Sequence, residues 1–182
     1  CLRKGIDSKD AAAIEAAARE ADVTIGYENG EQQVYLNGEN VTASLRTEEA
    51  GNMASATSIY PGVRRQLTAL QKELAARQNV VMDGRDIGTA VLPDAQLKIY
   101  LTARSHVRAV RRYEELKAKG VDSDLSVIEA DIIARDQRDM TREISPLCKA
   151  ADAVEVDSSE LTIDEVVETV RKLYQERTGA SV

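Results

Sequence analysis

The sequence predicts an α/β protein in which helices flank a parallel sheet and a small antiparallel segment is added. In the second half of the chain, short apolar runs of strand type alternate with amphipathic helices, which is typical of a parallel sheet. In the first half, two β-type runs are joined by Asn-Gly, a dipeptide that favours a hairpin turn. With 182 residues, 43% hydrophobic and 30% charged, the composition is typical of one globular domain, which we place at 1–182.

Two helices are predicted in the first half of the chain. Residues 8–21 are rich in Ala and Glu, and Asp7 or Ser8 is a suitable N-cap for them. Residues 62–77 form an amphipathic helix, because their apolar residues recur at helical spacing, at Val63, Leu67, Leu70 and Leu74.

Between these helices lies a segment with hairpin chemistry. Residues 23–27 and 33–36 are β-type runs, and Asn29-Gly30 between them supplies the positive φ angles of a type I′ turn. Asn37-Gly38 makes a second turn, and residues 40–42 predict a third short strand. We therefore place a small antiparallel insertion at 22–47.

The second half of the chain alternates strands and helices. Its apolar runs predict strands at 80–82, 97–101 and 153–156. The intervening helices are expected at 106–119, 125–143 and 163–177, with Ser105 as an N-cap, Gly120 just after a helix end, and a capping box at Thr162 and Glu165.

Composition also excludes several function classes. The formal net charge is −7 and the isoelectric point about 4.9, which argues against a nucleic-acid partner bound through a broad basic face. The chain has two Cys and one His, too few for a Cys/His metal cluster, so any metal would be bound by oxygen. Apolar runs are too short to cross a bilayer. We expect a cytoplasmic monomer without nucleic-acid or membrane partners.

The segment 83–89 is the first candidate site. Asp83 follows an apolar run, and the carboxyl edge of an open α/β sheet is where ligands bind, so Asp83 suits Mg²⁺ or the neighbourhood of a phosphate. Gly84 and Gly88 allow the backbone to pass close to a ligand, and Arg85 and Asp86 offer a fork of donors beside an acceptor. The alternative is an ordinary charged strand-to-helix turn.

A second candidate site is a stripe of charged residues on one predicted helix. Arg135, Arg138, Asp139 and Arg142 follow the spacing i, i+3, i+4 and i+7, so they project from one side. Arg138 and Arg142 are like charges one turn apart, an arrangement that is unfavourable unless an anion shares them. The stripe suits a phosphate held by the arginines and a sugar hydroxyl held by Asp139. The alternative is a salt-bridged surface helix.

A third cluster consists of Arg108, Arg111 and Arg112, again at helical spacing. Phosphoryl transfer uses arginines of this kind on the transferring group. Because Glu114 and Glu115 follow directly, a neutralised surface helix is the alternative.

Several of these strings together resemble the bacterial cytidylate kinases in order and spacing over nearly the whole chain. The segments that carry the resemblance are 83–89, Leu92-Pro93-Asp94-Ala95, 98–101, Arg108 with Arg111 and Arg112, Arg135-Asp136 with Asp139 and Arg142, and Ser145-Pro146-Leu147. The resemblance implies a P-loop, adenylate-kinase-like fold that transfers the γ-phosphoryl group of ATP to CMP or dCMP with Mg²⁺. It also implies that 22–47 belongs to the monophosphate-binding region and that 104–135 contains the lid.

The same resemblance implies a role for each site residue. Ser55, Arg64 and Asp86 would contact the cytosine. Arg85, Arg135, Asp139 and Arg142 would hold the ribose and α-phosphate. Arg108, Arg111 and Arg112 would lie at or near a mobile lid over ATP, and we group them with Asp83 as catalytic.

The chain departs from this family at the P-loop. No Gly is followed by Lys, so the pattern Gly-x-x-x-x-Gly-Lys-Ser/Thr does not occur. We expect that the first strand and P-loop are absent from this chain, that it is N-terminally incomplete, and that it is inactive as it stands. A cytidylate kinase is the leading hypothesis, and a catalytically inactive CMP-binding module without an ATP site is the alternative.

Overall fold

The computed structural model describes residues 1–45 and 47–180, so Arg46 of the 22–47 segment and residues 181–182 of the 1–182 domain lie outside the described residues. The chain forms two compact units, Cys1–Val80 and Val81–Val182. The assignment of 1–182 to one domain, the lid at 104–135, and the absent first strand and P-loop stay predictions. Among the described residues, no helix is both long and apolar enough to span a membrane.

The described residues of the first unit form three α-helices: α1 (Ala11–Glu20), α2 (Glu48–Thr57) and α3 (Pro61–Arg77). The helix α1 begins later than predicted, because the side chain of Asp10 accepts a hydrogen bond from the Ala13 amide and caps it. Asp7 instead accepts from the Lys9 amide in the preceding turn. The helix α3 is confirmed, with Pro61 in its first turn, where no amide hydrogen is needed. The helix α2 was not predicted.

Along the chain, the segment between α1 and α2 forms an antiparallel sheet. Its strands are β1 (Val23–Glu28), β2 (Glu31–Leu36) and β3 (Glu39–Asn40), in that order. Asn29 and Gly30 have φ angles of 53° and 82°, which confirms the predicted turn. The third strand ends before Val41, because the Thr42 hydroxyl takes the place of a main-chain acceptor and receives the Val34 amide at 2.9 Å.

The second unit contains a parallel pair, β4 (Ile99–Thr102) and β5 (Val154–Asp157), with Ile99 opposite Val154. Its helices are α4 (Ser105–Ala118), α5 (Leu125–Thr141) and α6 (Ile163–Thr178). These elements confirm the predicted alternation. Two details at α4 are informative: Ser105 is its first helical residue rather than the N-cap, and Gly120 has a φ angle of 71° just beyond its end.

The predicted strand at 80–82 is wrong. No described strand pairs with these residues, and Val81 is completely exposed. A strand exists only where a neighbour completes its hydrogen-bonded ladder, and a run of Val residues does not supply one. Consequently Asp83 does not stand at the end of a strand, and the expectation that it lies at the carboxyl edge of the sheet is wrong. The chain continues into one turn of π-helix, Ile87–Val91.

Candidate functional site

The segment around Asp86 is shaped by the π-helical turn that follows it. The carbonyl of Asp86 accepts hydrogen bonds from the amides of Ala90 and Val91, at 2.8 and 3.2 Å. Gly84 is needed for packing, since a Cβ there would lie 2.9 Å from the Ile87 side chain. Gly84 therefore makes room for the Ile87 side chain, whereas a Cβ at Gly88 would make only ordinary contact with Lys98, at 3.4 Å. Arg85 and Asp86 are left beside the end of α5.

The structure brings this segment and the α5 stripe together. The Nε of Arg85 lies 3.0 Å from Oδ2 of Asp139, which is buried with 8% of its surface exposed. Three residues further on, Nη2 of Arg142 lies 3.8 Å from Oδ1 of Asp86, and both side chains are only 12% exposed. Two motifs found separately in the sequence thus form one cluster of alternating charge within the second unit.

Arg142 is fixed by the loop that follows α5. Its Nε donates to the carbonyl of Ser145 at 2.7 Å, and the amide of Leu147 donates to the carbonyl of Asp139 at 2.8 Å. Ser145 has a φ angle of 49°, a conformation that non-glycine residues seldom adopt and that clusters at functional sites. The second guanidinium nitrogen, Nη2, is buried without a hydrogen-bond partner. A buried donor in this state indicates a site for a ligand, ion or water.

Further donors around the cluster are not used by the protein. Arg85 is bonded through Nε, so its two terminal nitrogens are available. Arg135 lies on α5 one turn before Asp139, is exposed, and makes no ion pair or hydrogen bond with any residue the structure describes. Arg85 and Arg142 at the end of α5, and Arg135 one turn before Asp139, therefore carry donors that the described residues do not use, a set of groups that suits a phosphate.

The three arginines of α4 do not converge on one point. Arg108 binds Asp136 of α5 with both terminal nitrogens, and this hydrogen bonding raises the pKa of Arg108. Arg111 donates to the carbonyls of Ser158 and Leu161, at 2.6 and 3.2 Å. Arg112 binds Glu115 on its own helix at 2.8 Å. Each arginine has its own protein partner, so a shared anion requires at least two of them to exchange it.

Ser55 and Arg64 lie in the first unit, on α2 and α3. The carbonyl of Ser55 accepts a hydrogen bond from the Ser58 hydroxyl at 2.9 Å, and Nη1 of Arg64 donates to the Ser58 carbonyl at 3.4 Å. Ser58, at the end of α2, therefore connects the two predicted residues. The signal for α2 is Thr47, whose side chain accepts the Ala50 amide as an N-cap.

Asp83 is the one carboxylate predicted to serve a metal. It is exposed and makes no hydrogen bond or ion pair with other described residues. Across residues 1–45 and 47–180 there is no group of three His, Cys, Asp or Glu that could hold a metal ion. Mg²⁺ in nucleotide sites uses one or two carboxylates together with substrate phosphates. A single unengaged carboxylate fits that requirement.

Sequence reasoning missed two contributors to these clusters. Asp136 was given no role, although its i, i+3 spacing to Asp139 places both carboxylates on neighbouring turns of α5. The second contributor is the Ser145 carbonyl, which accepts a hydrogen bond from Arg142. It is a main-chain group, so no residue type in the sequence indicates it.

Comparison with known proteins gives a consistent result. The family model described as cytidylate kinase matches residues 1–176. A cytidylate kinase of Bacillus licheniformis is 46% identical over 178 residues, which are 97% of this chain and 78% of that protein. Those of Lactobacillus gasseri and Ligilactobacillus salivarius are 45% identical over 172 residues and 51% identical over 147. These matches cover 94% and 81% of this chain, and 75% and 66% of the relatives.

Proposed function

Because this chain belongs to the cytidylate kinase family, which transfers a phosphoryl group to CMP, we propose that the cluster at the end of α5 holds the CMP phosphate and ribose. The observation that carries the proposal is the buried Nη2 of Arg142, which has no hydrogen-bond partner and lies beside Asp86. Family membership favours the kinase over a catalytically inactive CMP-binding module.

Each residue of the cluster has a separate task in this proposal. Arg85, Arg135 and Arg142 donate to the α-phosphate oxygens with nitrogens that no described residue occupies. Asp139 accepts a ribose hydroxyl through Oδ1, since its Oδ2 is bonded to Arg85. Because Asp139 also fixes Arg85, one buried carboxylate orients both the sugar and one of the phosphate ligands.

We assign the contact with the cytosine amino group to Asp86, and Ser55 and Arg64, which belong to the first unit, stay predictions from the family resemblance. Asp86 is a carboxylate acceptor, which suits the exocyclic amino group that uracil lacks. A site built to hydrogen-bond such a group discriminates against the analogue that lacks it.

The roles of the residues near the phosphoryl donor, ATP, follow from the reaction. A CMP phosphate oxygen attacks the γ-phosphorus of ATP, the bond to the β-bridging oxygen breaks, and CDP and ADP result. Asp83 would hold Mg²⁺ together with the phosphates, and the metal would neutralise their charge. Arg108, Arg111 and Arg112 remain the candidates for donor contacts, and Arg108 is favoured among the three because it alone pairs with a carboxylate of α5, Asp136.

Calorimetric titration with CMP and UMP tests the acceptor assignment. We expect CMP to bind more tightly than UMP. We also expect Arg142→Ala to weaken CMP binding by roughly 1.5–3 kcal/mol, the scale of a lost charge-assisted hydrogen bond. Because this variant also loses the contacts of Arg142 with Asp86 and the Ser145 carbonyl, its folding is checked separately by thermal unfolding.

The matched control is Arg138→Ala. Arg138 belongs to the predicted stripe, but it is exposed, has no side-chain partner among the described residues and is not used in the proposed site. It should leave CMP affinity nearly unchanged. Equal losses in the two variants would reduce the stripe to nonspecific charge, and equal affinity for CMP and UMP would contradict the cytosine assignment.

A further inference from the structure

A bidentate ion pair joins α4 to α5 next to the proposed CMP site. Nη1 of Arg108 donates to Oδ1 of Asp136 at 3.1 Å, and Nη2 donates to Oδ2. Both side chains are partly exposed, 36% for Arg108 and 27% for Asp136. The remaining nitrogen of Arg108, Nε, is buried without a hydrogen-bond partner. Asp136 therefore accepts one hydrogen bond from each terminal nitrogen and faces the fork of this guanidinium.

The neighbouring arginines of α4 are engaged differently. Arg111 donates to main-chain carbonyls after β5, so releasing it would leave carbonyl groups unsatisfied. Arg112 binds Glu115 on the outer side of the same helix, where Glu115 also accepts from Lys119. Arg108 alone of the three is bound by a carboxylate from α5.

Asp136 lies on the same helix, α5, as Asp139 of the proposed CMP cluster. Asp136 precedes Asp139 by three residues, so the two carboxylates lie on successive turns of α5 and hold Arg108 and Arg85 respectively. A carboxylate and a phosphate present the same pair of oxygens to a guanidinium fork. Because the pair is partly exposed, exchanging one anion for the other costs little.

We propose that Asp136 is a positioning residue that occupies the guanidinium fork of Arg108 in the nucleotide-free protein and yields it to the phosphate oxygens of the triphosphate donor. The inference rests on the proposed function, because it takes the donor from that reaction. Asp136 keeps Arg108 directed at α5 and competes with the incoming polyphosphate, so removing its charge should strengthen polyphosphate binding.

The test is calorimetric titration of the chain with inorganic tripolyphosphate at low salt. Asp136→Asn is nearly isosteric and keeps one acceptor, and it should bind tripolyphosphate about threefold more tightly than the unmodified chain, because a part-exposed ion pair no longer has to be broken. The gain should disappear in the double variant with Arg108→Ala. If the Arg108–Asp136 pair is only a structural link between the helices, its removal should weaken tripolyphosphate binding or leave it unchanged.

The matched control is Glu115→Gln, which makes the same change of net charge on α4 and frees Arg112 and Lys119. An equal gain in this control would show general electrostatic attraction and would overturn the proposal, as would an absent gain in Asp136→Asn.

Titration with CMP separates this inference from the proposed function. Asp136→Asn and a second variant, Asp136→Ser, should retain the CMP affinity of the unmodified chain. Loss of CMP binding in both would make the pair a structural link and overturn the proposal. If the unmodified chain fails to bind CMP, the proposed function fails, whereas the tripolyphosphate comparison still decides the role of Asp136.

Discussion

Asp139 and Arg85 form an ion pair whose two members are unequally buried. Asp139 is the only charged residue among the buried ones that the structure describes, whereas the Arg85 side chain is 42% exposed. Removing Arg85 leaves a buried carboxylate without its partner, which is costly. Removing Asp139 leaves an arginine that can reach water.

We therefore expect Arg85→Ala to lower the free energy of unfolding by about 1–2 kcal/mol and Asp139→Asn to lower it less. Urea denaturation of both variants measures the difference. The reverse order would mean that Asp139 is stabilised by something other than Arg85.

A second residue-scale prediction concerns Glu115 and pH. Hydrogen bonds from Lys119 and Arg112 lower the pKa of Glu115 from 4.5 to about 2. Because the folded-state pKa is depressed, the resulting stability is fully present above pH 4.5 and is lost as the pH falls toward 2. Glu115→Gln should thus be less stable than the unmodified chain at pH 7, and the difference should narrow below pH 4.5.

Denaturation at several pH values measures this difference in stability between Glu115→Gln and the unmodified chain. Glu114→Gln is the control, since Glu114 is exposed and forms no ion pair with the described residues. A difference between Glu115→Gln and the unmodified chain that stays constant down to pH 3 would contradict the assigned pKa.

At the scale of the element, α6 has a complete capping box. The Thr162 hydroxyl accepts the Glu165 amide, and Glu165 accepts the Thr162 amide at 2.8 Å. We expect Thr162→Ala to lower the free energy of unfolding by about 1 kcal/mol, because the Glu165 amide loses its side-chain acceptor. Thr162→Ser keeps the hydroxyl and should lose much less. Equal losses in thermal or urea unfolding would show that the methyl group, not the cap, is important.

Elements with local chemistry were predictable from the sequence. The hairpin at Asn29-Gly30 and the capping box of α6 depend on residues within a few positions of each other, and both are confirmed. The strand at 80–82 and the cap at Asp7 or Ser8 were wrong for different reasons. The strand depends on a partner that no local pattern reveals, and Asp10 is a closer competitor for the cap.

The candidate site was predictable as two lists of residues but not as one cluster. Helical spacing predicted that Arg135, Asp139 and Arg142 share one side of a helix. In the structure Arg85 pairs with Asp139, and Asp86 pairs with Arg142, which is the C-cap residue just beyond α5. Which arginine finds which carboxylate is a tertiary contact, and the sequence offers several equivalent pairings. For the same reason the separate partners of Arg108, Arg111 and Arg112 could not be foreseen.

At the scale of the whole molecule, we predict that the first proteolytic cleavage occurs at the boundary between the two units. Residues 79–83 lie outside all helices and strands, and Val81 is completely exposed there. Elastase cleaves after small aliphatic residues, so we expect the first cut after Val80 or Val81, because an extended exposed segment enters a protease cleft without unfolding. Mass spectrometry of a short digestion identifies the fragments.

Val127 is the internal control for this digestion. Val127 is 57% exposed, but it lies within α5, whose backbone is hydrogen-bonded. It should survive longer than the 79–83 segment. A first cut at Val127 would show that α5 opens more readily than the boundary.

The parallel pairing of β4 and β5 has a consequence for synthesis on the ribosome. The hairpin of β1 and β2 needs only a two-residue turn and closes within about 1–10 μs. β4 cannot pair until both α4 and α5 and then β5 have been made. At ~5–20 residues per second, the roughly 50 intervening residues take about 3–10 s. During that interval the nascent chain carries an unpaired apolar strand, a substrate for chaperones and a point of risk for aggregation.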